Sequence, residues 1–296
     1  MVEQVTVIPP KPYSILYHLK MLSLPNRHLP TFYDGNRCFW RILTWRGEKI
    51  AYKVEVISEG FNPKLKVYGY LGSLNTILNA LSYILRFDLD LSPYLTDKIL
   101  GKLIRKYGGL RPPRTPTLFE ALITSIIRQQ INVNLATRLI SNLVTNYGDK
   151  LVIHDLTFYD FPAPEILAER RIDELRKIGL SKRKAEYIIK ISRAIRDGFD
   201  IEGIKELPIN KAIKELMKFK GVGTWTAELS YVVATGDLSW APFDDLAVVR
   251  GVSLYLGKEV NGKYIRELFK DHPLRGLIIY YLSFLYEEKY KGIKSS

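Results

Sequence analysis

The sequence predicts a mostly α-helical protein that carries an α+β domain at its N-terminus. Apolar and polar residues alternate between residues 38 and 68, as they do in antiparallel strands that bury one face. Beyond about residue 91 apolar residues recur three and four positions apart up to the C-terminus, as they do in helices. A chain of 296 residues suffices for two ordinary cores. We therefore expect residues 1–100 to form an antiparallel sheet with helices and residues 101–296 to form an all-helical domain.

Turn and capping residues place the N-terminal elements. A strand is predicted over residues 39–43, followed by a turn at residues 46–48 and a second strand in which Tyr52, Val54 and Val56 alternate with charged residues. Ser73 then precedes apolar residues at helical spacing, and serine is a preferred N-cap residue. These signals predict a hairpin followed by a helix.

Two of the predicted helices flank a pair of amides. The proline-rich residues 111–116 form a rigid connector, and Thr117 with Glu120 predicts a capping box at the start of the next helix. Gln129 and Gln130 follow that helix, and another helix comes after them. Amides at such a junction are consistent with a polar loop that caps helices and with a ligand contact, and both alternatives stay open here.

The chain carries an excess of positive charge. It has 44 Lys and Arg against 31 Asp and Glu, a formal net charge of +13. Such a protein attracts polyanions, so nucleic acid is the leading partner. The alternative is a basic soluble protein without such a partner, because lysine-rich surfaces also occur in thermophiles.

Residues that hold metals or cofactors are scarce. The single cysteine, Cys38, excludes an intramolecular disulfide and a four-thiolate iron–sulfur cluster. The histidines at positions 18, 28, 154 and 272 lack zinc-site spacing, so we expect no cofactor. With no apolar run long enough to span a membrane and no secretory signal pattern, a cytoplasmic location is expected, associated with the nucleoid in a prokaryote. We also expect a monomer.

Two predicted helices meet at a glycine-rich hairpin, Gly221-Val222-Gly223-Thr224. Both glycines can adopt positive φ, and neither holds a phosphate away from the main-chain N–H groups. The second helix adds the positive end of its dipole. The hairpin therefore predicts a sequence-independent contact with a backbone phosphate, and the alternative is a tight turn between packed helices.

A second turn, at residues 178–184, has a similar character. It contains a helix stop, Ser181 as an N-cap and three successive cations that begin with Lys182. It resembles a phosphate-facing turn, although such a run of cations is also typical of a solvated face.

A carboxylate follows the hairpin at a short distance. Asp245 lies 22 residues after Gly223, at the head of another predicted helix. Aspartate is a preferred N-cap residue, which explains it structurally. A carboxylate beside a nucleotide drawn out of the duplex would also stabilise positive charge that develops on the sugar at C1′.

Residues 216–227 together with Asp245 resemble the helix-hairpin-helix-Gly/Pro-Asp superfamily of DNA glycosylases, and most of all its 3-methyladenine DNA glycosylase II branch. Residues 119–139, with their glutamine-bearing turn, residues 179–185 and residues 273–275 are further matches. The N-terminal α+β segment resembles the extra domain of that family. Nearly the whole chain is covered.

The resemblance implies a helix-hairpin-helix glycosylase fold and base excision repair of double-stranded DNA. The enzyme would hydrolyse the N-glycosidic bond of a damaged, alkylated or deaminated purine that is flipped out of the duplex. Asp245 would be the catalytic carboxylate, and Gln129 or Gln130 would enter the gap. The implied DNA contacts are Gly221, Val222, Gly223, Thr224, Ser181, Lys182 and Arg275. No side chain is expected to bind a metal, but hairpin carbonyls near Lys220 and Val222 are candidates for a monovalent cation.

Position 225 distinguishes two mechanisms within the superfamily. Bifunctional glycosylase/lyases carry a lysine there that attacks the sugar as an amine. This chain has Trp225, which predicts a monofunctional enzyme that uses water. The alternatives are an 8-oxoguanine-type glycosylase/lyase and a non-catalytic helix-hairpin-helix protein that binds DNA.

The expected substrate pocket departs from the family pattern. Alkylation enzymes stack cationic purines on aromatic rings. At the corresponding positions this chain has Leu229, Leu246 and Leu274, and of the aromatic positions it clearly retains Trp225. Helical spacing assigns Tyr231, Tyr280 and Tyr281 mainly to the core. Specificity for 3-methyladenine is therefore in doubt, and hypoxanthine, other alkylated bases and oxidised purines stay open.

Overall fold

The computed structural model describes residues 2–22 and 27–291. The N-terminal part is a five-stranded antiparallel sheet in the order β1-β5-β4-β3-β2, with two helices. The strands are β1 (Glu3–Val7), β2 (Thr31–Tyr33), β3 (Cys38–Trp45), β4 (Glu48–Ser58) and β5 (Lys64–Leu71), and the helices are α1 (Leu16–Leu22) and α2 (Leu74–Ile84).

The predicted hairpin and helix cap are confirmed. Trp45 pairs with Glu48 across a two-residue turn, and Arg46 and Gly47 both adopt positive φ, as type I′ turns require. The Ser73 hydroxyl accepts a hydrogen bond from the Thr76 N–H, so the N-cap starts α2 as the sequence indicates.

Helices make up most of the chain beyond the sheet. They are α3 (Leu100–Lys106), α4 (Leu118–Arg128), α5 (Val133–Tyr147), α6 (Pro164–Ala168), α7 (Ile172–Lys177), α8 (Lys182–Arg196), α9 (Ile209–Leu216), α10 (Thr224–Thr235), α11 (Leu246–Leu256), α12 (Gly262–Leu268) and α13 (Arg275–Lys291). A mostly helical protein with an N-terminal α+β part is therefore the observed fold class. None of the helices in the described part of the chain is long and apolar enough to cross a membrane.

One β-hairpin interrupts these helices, and the expectation of helices alone beyond residue 101 missed it. Strands β6 (Lys150–Ile153) and β7 (Leu156–Tyr159) pair antiparallel. Phe158 is buried against the sheet, and the Trp40 indole N–H donates to the Thr157 carbonyl. Four residues per strand are too few for a period of two to stand out from a helical pattern.

The predicted capping box is half correct. The Thr117 hydroxyl accepts from the Glu120 N–H and caps α4. The Glu120 carboxylate instead pairs with the buried Arg41 guanidinium of β3. A buried arginine needs such an acceptor, so the glutamate joins the sheet to the helices and is not used to complete the cap.

Three larger buried clusters organise the molecule. One lies between the sheet and α2, a second among α4, α5, α8, α9 and α10, and a third joins α3 to α11, α12 and α13. Tyr17 of α1 belongs to the third cluster, so the N-terminal part contributes to the C-terminal core. A domain boundary at about residue 100 stays a prediction. The hairpin between α9 and α10 and the loop before α11 lie at the edges of the second and third clusters.

Candidate functional site

The turn between α9 and α10 is held by close packing. Gly221 has φ +91°, in the left-handed region, and a Cβ there would lie 2.1 Å from Cδ2 of Tyr187. Gly223 differs from the expectation of positive φ, because its φ is −89° and it serves as the N-cap of α10. A Cβ on Gly223 would meet open space. Gly221 is thus required by the fold, whereas Gly223 leaves the main chain at the start of α10 exposed and uncovered by a side chain.

The paired amides have different surroundings. The Gln129 side chain is half-buried, and its Nε2 donates to the Gly221 carbonyl and to the Thr226 hydroxyl, each at 2.8 Å. Gln130 is exposed and has φ +55°. Lys184 Nζ donates to the carbonyls of Ile127 and Gln129, each at 2.8 Å. Gln129 therefore ties its turn to the glycine hairpin and leaves Gln130 facing outward.

The Asp245 carboxylate is fixed by three donors. Oδ1 accepts from the N–H groups of Ala247 and Val248, at 2.8 and 3.3 Å, so the aspartate caps α11 as the sequence indicates. Oδ2 accepts from Trp225 Nε1 at 2.7 Å. Position 225, where a lyase would carry lysine, therefore lies directly beside the carboxylate.

The loop that precedes Asp245 is braced by stacked cations. The guanidinium carbons of Arg266 and Arg275 lie 4.8 and 5.1 Å from the Trp240 ring centroid, and both also face Phe243. Glu228 of α10 is buried, accepts from Trp240 Nε1 and pairs with Arg266. Burial raises the pKa of the Glu228 carboxyl, and the Trp240 and Arg266 donors oppose that rise. This cluster holds the loop against α10.

Arg275 thus takes part in an internal contact. Its Nε donates to the Ser239 carbonyl, and burial lowers the pKa of its guanidinium. Of the other predicted DNA contacts, Ser181, Lys182, Gly223 and Thr224 are exposed, and the Val222 side chain is buried. Ser181 caps α8 by accepting from the Lys184 N–H. Val222 would therefore contribute its main chain alone, and the assignment of all these contacts stays a prediction.

The carbonyls named for a cation have no competing donor. In the described ranges, no hydrogen bond ends on the Lys220 or Val222 carbonyl, whereas the Gly221 carbonyl accepts from Gln129. The binding of an alkali cation by these oxygens stays a prediction. Within the same ranges, no group of three or more His, Cys, Asp and Glu side chains could hold a metal ion.

The predicted pocket residues differ in their exposure. Leu246 directly follows Asp245 and is 60% exposed. Leu229 lies one turn beyond Trp225 on α10 and is half-buried, as is Leu274. A recess of about 670 Å³ opens elsewhere, around residues 249–260 and Tyr286, and it includes neither Asp245 nor Trp225.

Tyr231, Tyr280 and Tyr281 differ in the groups that their hydroxyls contact. The hydroxyls of Tyr231 and Tyr281 donate to the Leu207 and Leu110 carbonyls, and both rings are buried. Tyr280 is half-buried, and its hydroxyl lies 2.6 Å from His18 Nδ1 of α1. Core packing therefore describes Tyr231 and Tyr281, whose hydroxyls bind backbone carbonyls, whereas the Tyr280 hydroxyl contacts a histidine side chain.

Comparison with known proteins identifies the family. The profile of the HhH-GPD superfamily of base excision DNA repair proteins matches residues 123–271, which include α9, the glycine hairpin, α10 and Asp245. The chain belongs to this superfamily. The match lies within the predicted helical region and contains the paired amides and the 178–184 turn.

Individual relatives of this HhH-GPD protein extend the comparison. The DNA-3-methyladenine glycosylase of Bacillus subtilis is 31% identical over 175 residues, which cover 57% of this chain and 58% of the relative. DNA-3-methyladenine glycosylase 2 of Escherichia coli is 32% identical over 145 residues, 48% and 49% of the two chains. The chain thus spans between about half and three fifths of these relatives. The solved 3-methyladenine DNA-glycosylase from Archaeoglobus fulgidus superposes with a TM-score of 0.83 at 26% identity, covering 98% of this chain and all of that one.

Several residues around the site escaped the sequence-based prediction. Tyr187 backs the hairpin, Lys184 holds the Gln129 turn, and Glu228 with Arg266 braces the loop before Asp245. Lys184 was visible as one of three cations, but nothing local showed that its amine is already used internally. The others sit in regular helical patterns that carry no signal of their own.

Proposed function

We propose that this HhH-GPD protein is a monofunctional DNA glycosylase that hydrolyses the N-glycosidic bond of a damaged purine flipped out of duplex DNA. The observation that carries the proposal is the hydrogen bond between Trp225 Nε1 and Asp245 Oδ2. It fixes a carboxylate next to the position that a lyase would need for its amine, and this position carries no nucleophile.

The chemistry follows from that carboxylate. When the C1′–N bond of the nucleotide breaks, the electron pair leaves with the base and positive charge develops on the sugar. Asp245 would stabilise this charge in a site from which the flipped nucleotide excludes bulk water. A water molecule then attacks C1′, and its proton passes to the departing base or, where the base leaves neutral, to solvent. The products are the free base and an abasic site. No amine is required in this sequence of steps.

Binding of the duplex would depend on the hairpin. The first N–H groups of α10 have no partner within the helix, and they lie beside the bare, exposed Gly223. A backbone phosphate fits there without any reading of bases. Gln130 would fill the gap left by the flipped nucleotide, because it is the exposed member of the amide pair.

The relatives support the type of reaction. Those from B. subtilis and E. coli are named DNA-3-methyladenine glycosylases, and the A. fulgidus structure carries a similar name. On this basis we propose that this chain also cleaves an N-glycosidic bond in DNA. The base that this chain prefers is a separate question.

The test is release of the free base from duplexes that each carry one modified base. Asp245→Asn should lower the single-turnover rate by about 10³-fold or more, because the stabilising charge is lost while the cap can still form. Asp244→Asn is the matched control, since Asp244 is the exposed neighbouring carboxylate, and its rate should stay near that of the wild type.

Other outcomes would identify another mechanism. Covalent trapping of the protein on DNA by borohydride would indicate an amine nucleophile and a lyase. Binding of DNA without release of any base, unchanged by Asp245→Asn, would indicate a non-catalytic DNA-binding protein. Alkali-dependent strand breaks without trapping would support the proposal.

A further inference from the structure

One face of α8 contacts both the glycine hairpin and the turn that carries the paired amides. Lys184 and Tyr187 lie three positions apart on this helix, so their side chains point to the same side. Lys184 Nζ donates to the carbonyls of Ile127 and Gln129, each at 2.8 Å. The Tyr187 ring packs against the hairpin at Gly221. Helix α8 therefore joins the amide turn to the hairpin.

Lys184 is the internal member of a run of three cations. Its side chain is half-buried, whereas Lys182 and Arg183 are exposed. Burial lowers the pKa of the Lys184 ammonium group, and the two carbonyl acceptors replace part of its lost hydration. Both carbonyls belong to the C-terminal end of α4, where a positive charge also interacts favourably with the helix dipole. The lysine is therefore engaged inside the protein and not at its surface.

The turn that Lys184 contacts has a strained backbone. Gln129 has φ −53° and ψ 128°, and Gln130 follows with φ +55°. These angles fit a type II turn, whose third position favours glycine because a Cβ disfavours positive φ. A glutamine keeps this conformation where surrounding contacts hold it, and such strain is concentrated at ligand contacts and active sites. Here the holding contacts are the Lys184 ammonium and the Gln129 side chain.

The Lys184 contact sets the direction in which Gln130 leaves the turn. The peptide unit between Gln129 and Gln130 is planar, so a bond to the Gln129 carbonyl also positions the N–H and Cα of Gln130. The Gln129 side chain anchors the same turn a second time, to the Gly221 carbonyl and the Thr226 hydroxyl. The turn therefore presents the exposed Gln130 on a rigid base that is tied to the hairpin.

We infer that Lys184 is a positioning residue for base flipping and that it acts through Gln130. Its two hydrogen bonds hold the turn so that the Gln130 amide enters the gap left by the flipped nucleotide. The inference rests on the proposed glycosylase function and deepens it. Filling the gap replaces contacts that the duplex loses, so it favours the flipped state. The advantage is greatest for a well-paired base, because an unpaired base leaves the stack at lower cost.

Single-turnover base release tests this role. The duplexes carry whichever of hypoxanthine, 7-methylguanine and 8-oxoguanine the wild type releases fastest, placed opposite cytosine or opposite a tetrahydrofuran abasic analogue. Lys184→Met keeps most of the side-chain length and removes the donors. It should slow release about tenfold or more opposite cytosine, but no more than about threefold opposite the abasic analogue. Lys184→Arg should restore most of the rate, because a guanidinium can donate to both carbonyls.

A double-mutant cycle with Gln130→Ala shows whether the two residues act together. Gln130→Ala alone should slow release opposite cytosine, and the addition of Lys184→Met should slow it by no more than about a further twofold. Lys190→Met is the matched control, because it removes an exposed lysine from the same helix, and it should keep the wild-type rate.

Thermal unfolding of each variant separates this role from loss of folding. If Lys184→Met impairs folding, Lys184→Gln takes its place in the cycle, because it keeps a donor on a shorter side chain. The inference is overturned if the folded Lys184 variant releases base at the wild-type rate, if it is slowed equally opposite cytosine and the abasic analogue, or if its effect adds fully to that of Gln130→Ala. Each of these results leaves the glycosylase proposal standing. Release of no base from any duplex would overturn both.

Discussion

At the scale of single residues, Asp245 carries two roles at once. One carboxylate oxygen caps α11, and the other accepts from the Trp225 indole. The cap fixes the position of the group along the chain, and the indole fixes its rotation. A carboxylate held in this way needs little reorganisation when charge develops beside it.

The indole N–H therefore has a measurable effect. We expect Trp225→Phe to slow base release about five- to tenfold, because the ring stays and one hydrogen bond to the carboxylate is lost. Trp45→Phe is the matched control, since Trp45 Nε1 has no hydrogen-bond partner within the described ranges. Single-turnover kinetics measure both, and an unchanged rate for Trp225→Phe would contradict this role of the indole.

His18 makes stability depend on pH. Its pKa is about 3 in the folded protein, against an ordinary histidine value of 6.5, so the unfolded chain binds more protons between these values. Its contribution is complete above about pH 6.5 and declines as the pH falls towards 3. Asp160 acts in the opposite sense, because burial raises its pKa from 3.8 to about 6.

A comparison of the wild type with a His18 variant separates the contribution of His18 from that of Asp160. Between pH 7 and pH 5, the wild type should lose about 2 kcal/mol of unfolding free energy relative to His18→Asn, as measured by urea denaturation at each pH. His154→Asn is the matched control for the substitution itself, because it removes an exposed histidine. Parallel curves for His18→Asn and the wild type would disprove the lowered pKa of His18.

At the scale of elements, the two glycines of the hairpin serve different purposes. Gly221 combines positive φ with close contact to Tyr187, whereas Gly223 is extended and open. One is required by folding, and the other is available to a ligand. Substitution by alanine can therefore separate stability from DNA binding.

We expect Gly221→Ala to lower the unfolding free energy by about 2 kcal/mol or more, through backbone strain and overlap with the Tyr187 ring. Gly223→Ala should change it by no more than about 0.5 kcal/mol, because the site is exposed. Gly223→Ala should nevertheless weaken duplex binding severalfold, since its methyl group meets the phosphate. Thermal unfolding and fluorescence anisotropy measure the two effects. Normal DNA binding by Gly223→Ala would contradict a contact between the hairpin and a DNA phosphate.

The elements also show which features a sequence can predict. The β3–β4 turn, the Ser73 cap and the Asp245 cap depend on residues within a few positions of each other, so local rules suffice. The pairs Arg41–Glu120 and His18–Tyr280 join residues 79 and 262 positions apart. The local sequence around each residue does not indicate its partner, because such long-range contacts depend on the packing of the whole fold.

At the scale of the whole molecule, the net charge of +13 gives a long-range attraction to DNA. Surface ion pairs such as Lys218–Glu215 and Arg196–Asp197 are neutral as pairs and contribute nothing to this excess. Exposed cations such as Lys182, at the start of α8, account for part of the excess. Affinity for undamaged duplex should therefore be mainly electrostatic.

We expect the logarithm of the association constant to fall linearly with the logarithm of salt concentration, with a slope of about −0.9 for each phosphate contact. Three or more contacts would give a slope of about −3 or steeper, and Lys182→Ala should make it less steep by about one contact. Lys49→Ala is the control, because that lysine is paired with Asp149. A flat salt response in anisotropy titrations would exclude DNA as the partner.

The bond from Gln129 to the Gly221 carbonyl has a mechanical consequence. It clamps the outward-facing Gln130 at a set separation from the glycine turn, so neither can adjust alone to the duplex. If both contact the duplex as proposed, they would meet it as one rigid unit, and the duplex would have to adapt its shape to them. Local DNA stiffness would then be sampled before any base reaches Asp245, and damage would be recognised first by how readily the double helix bends.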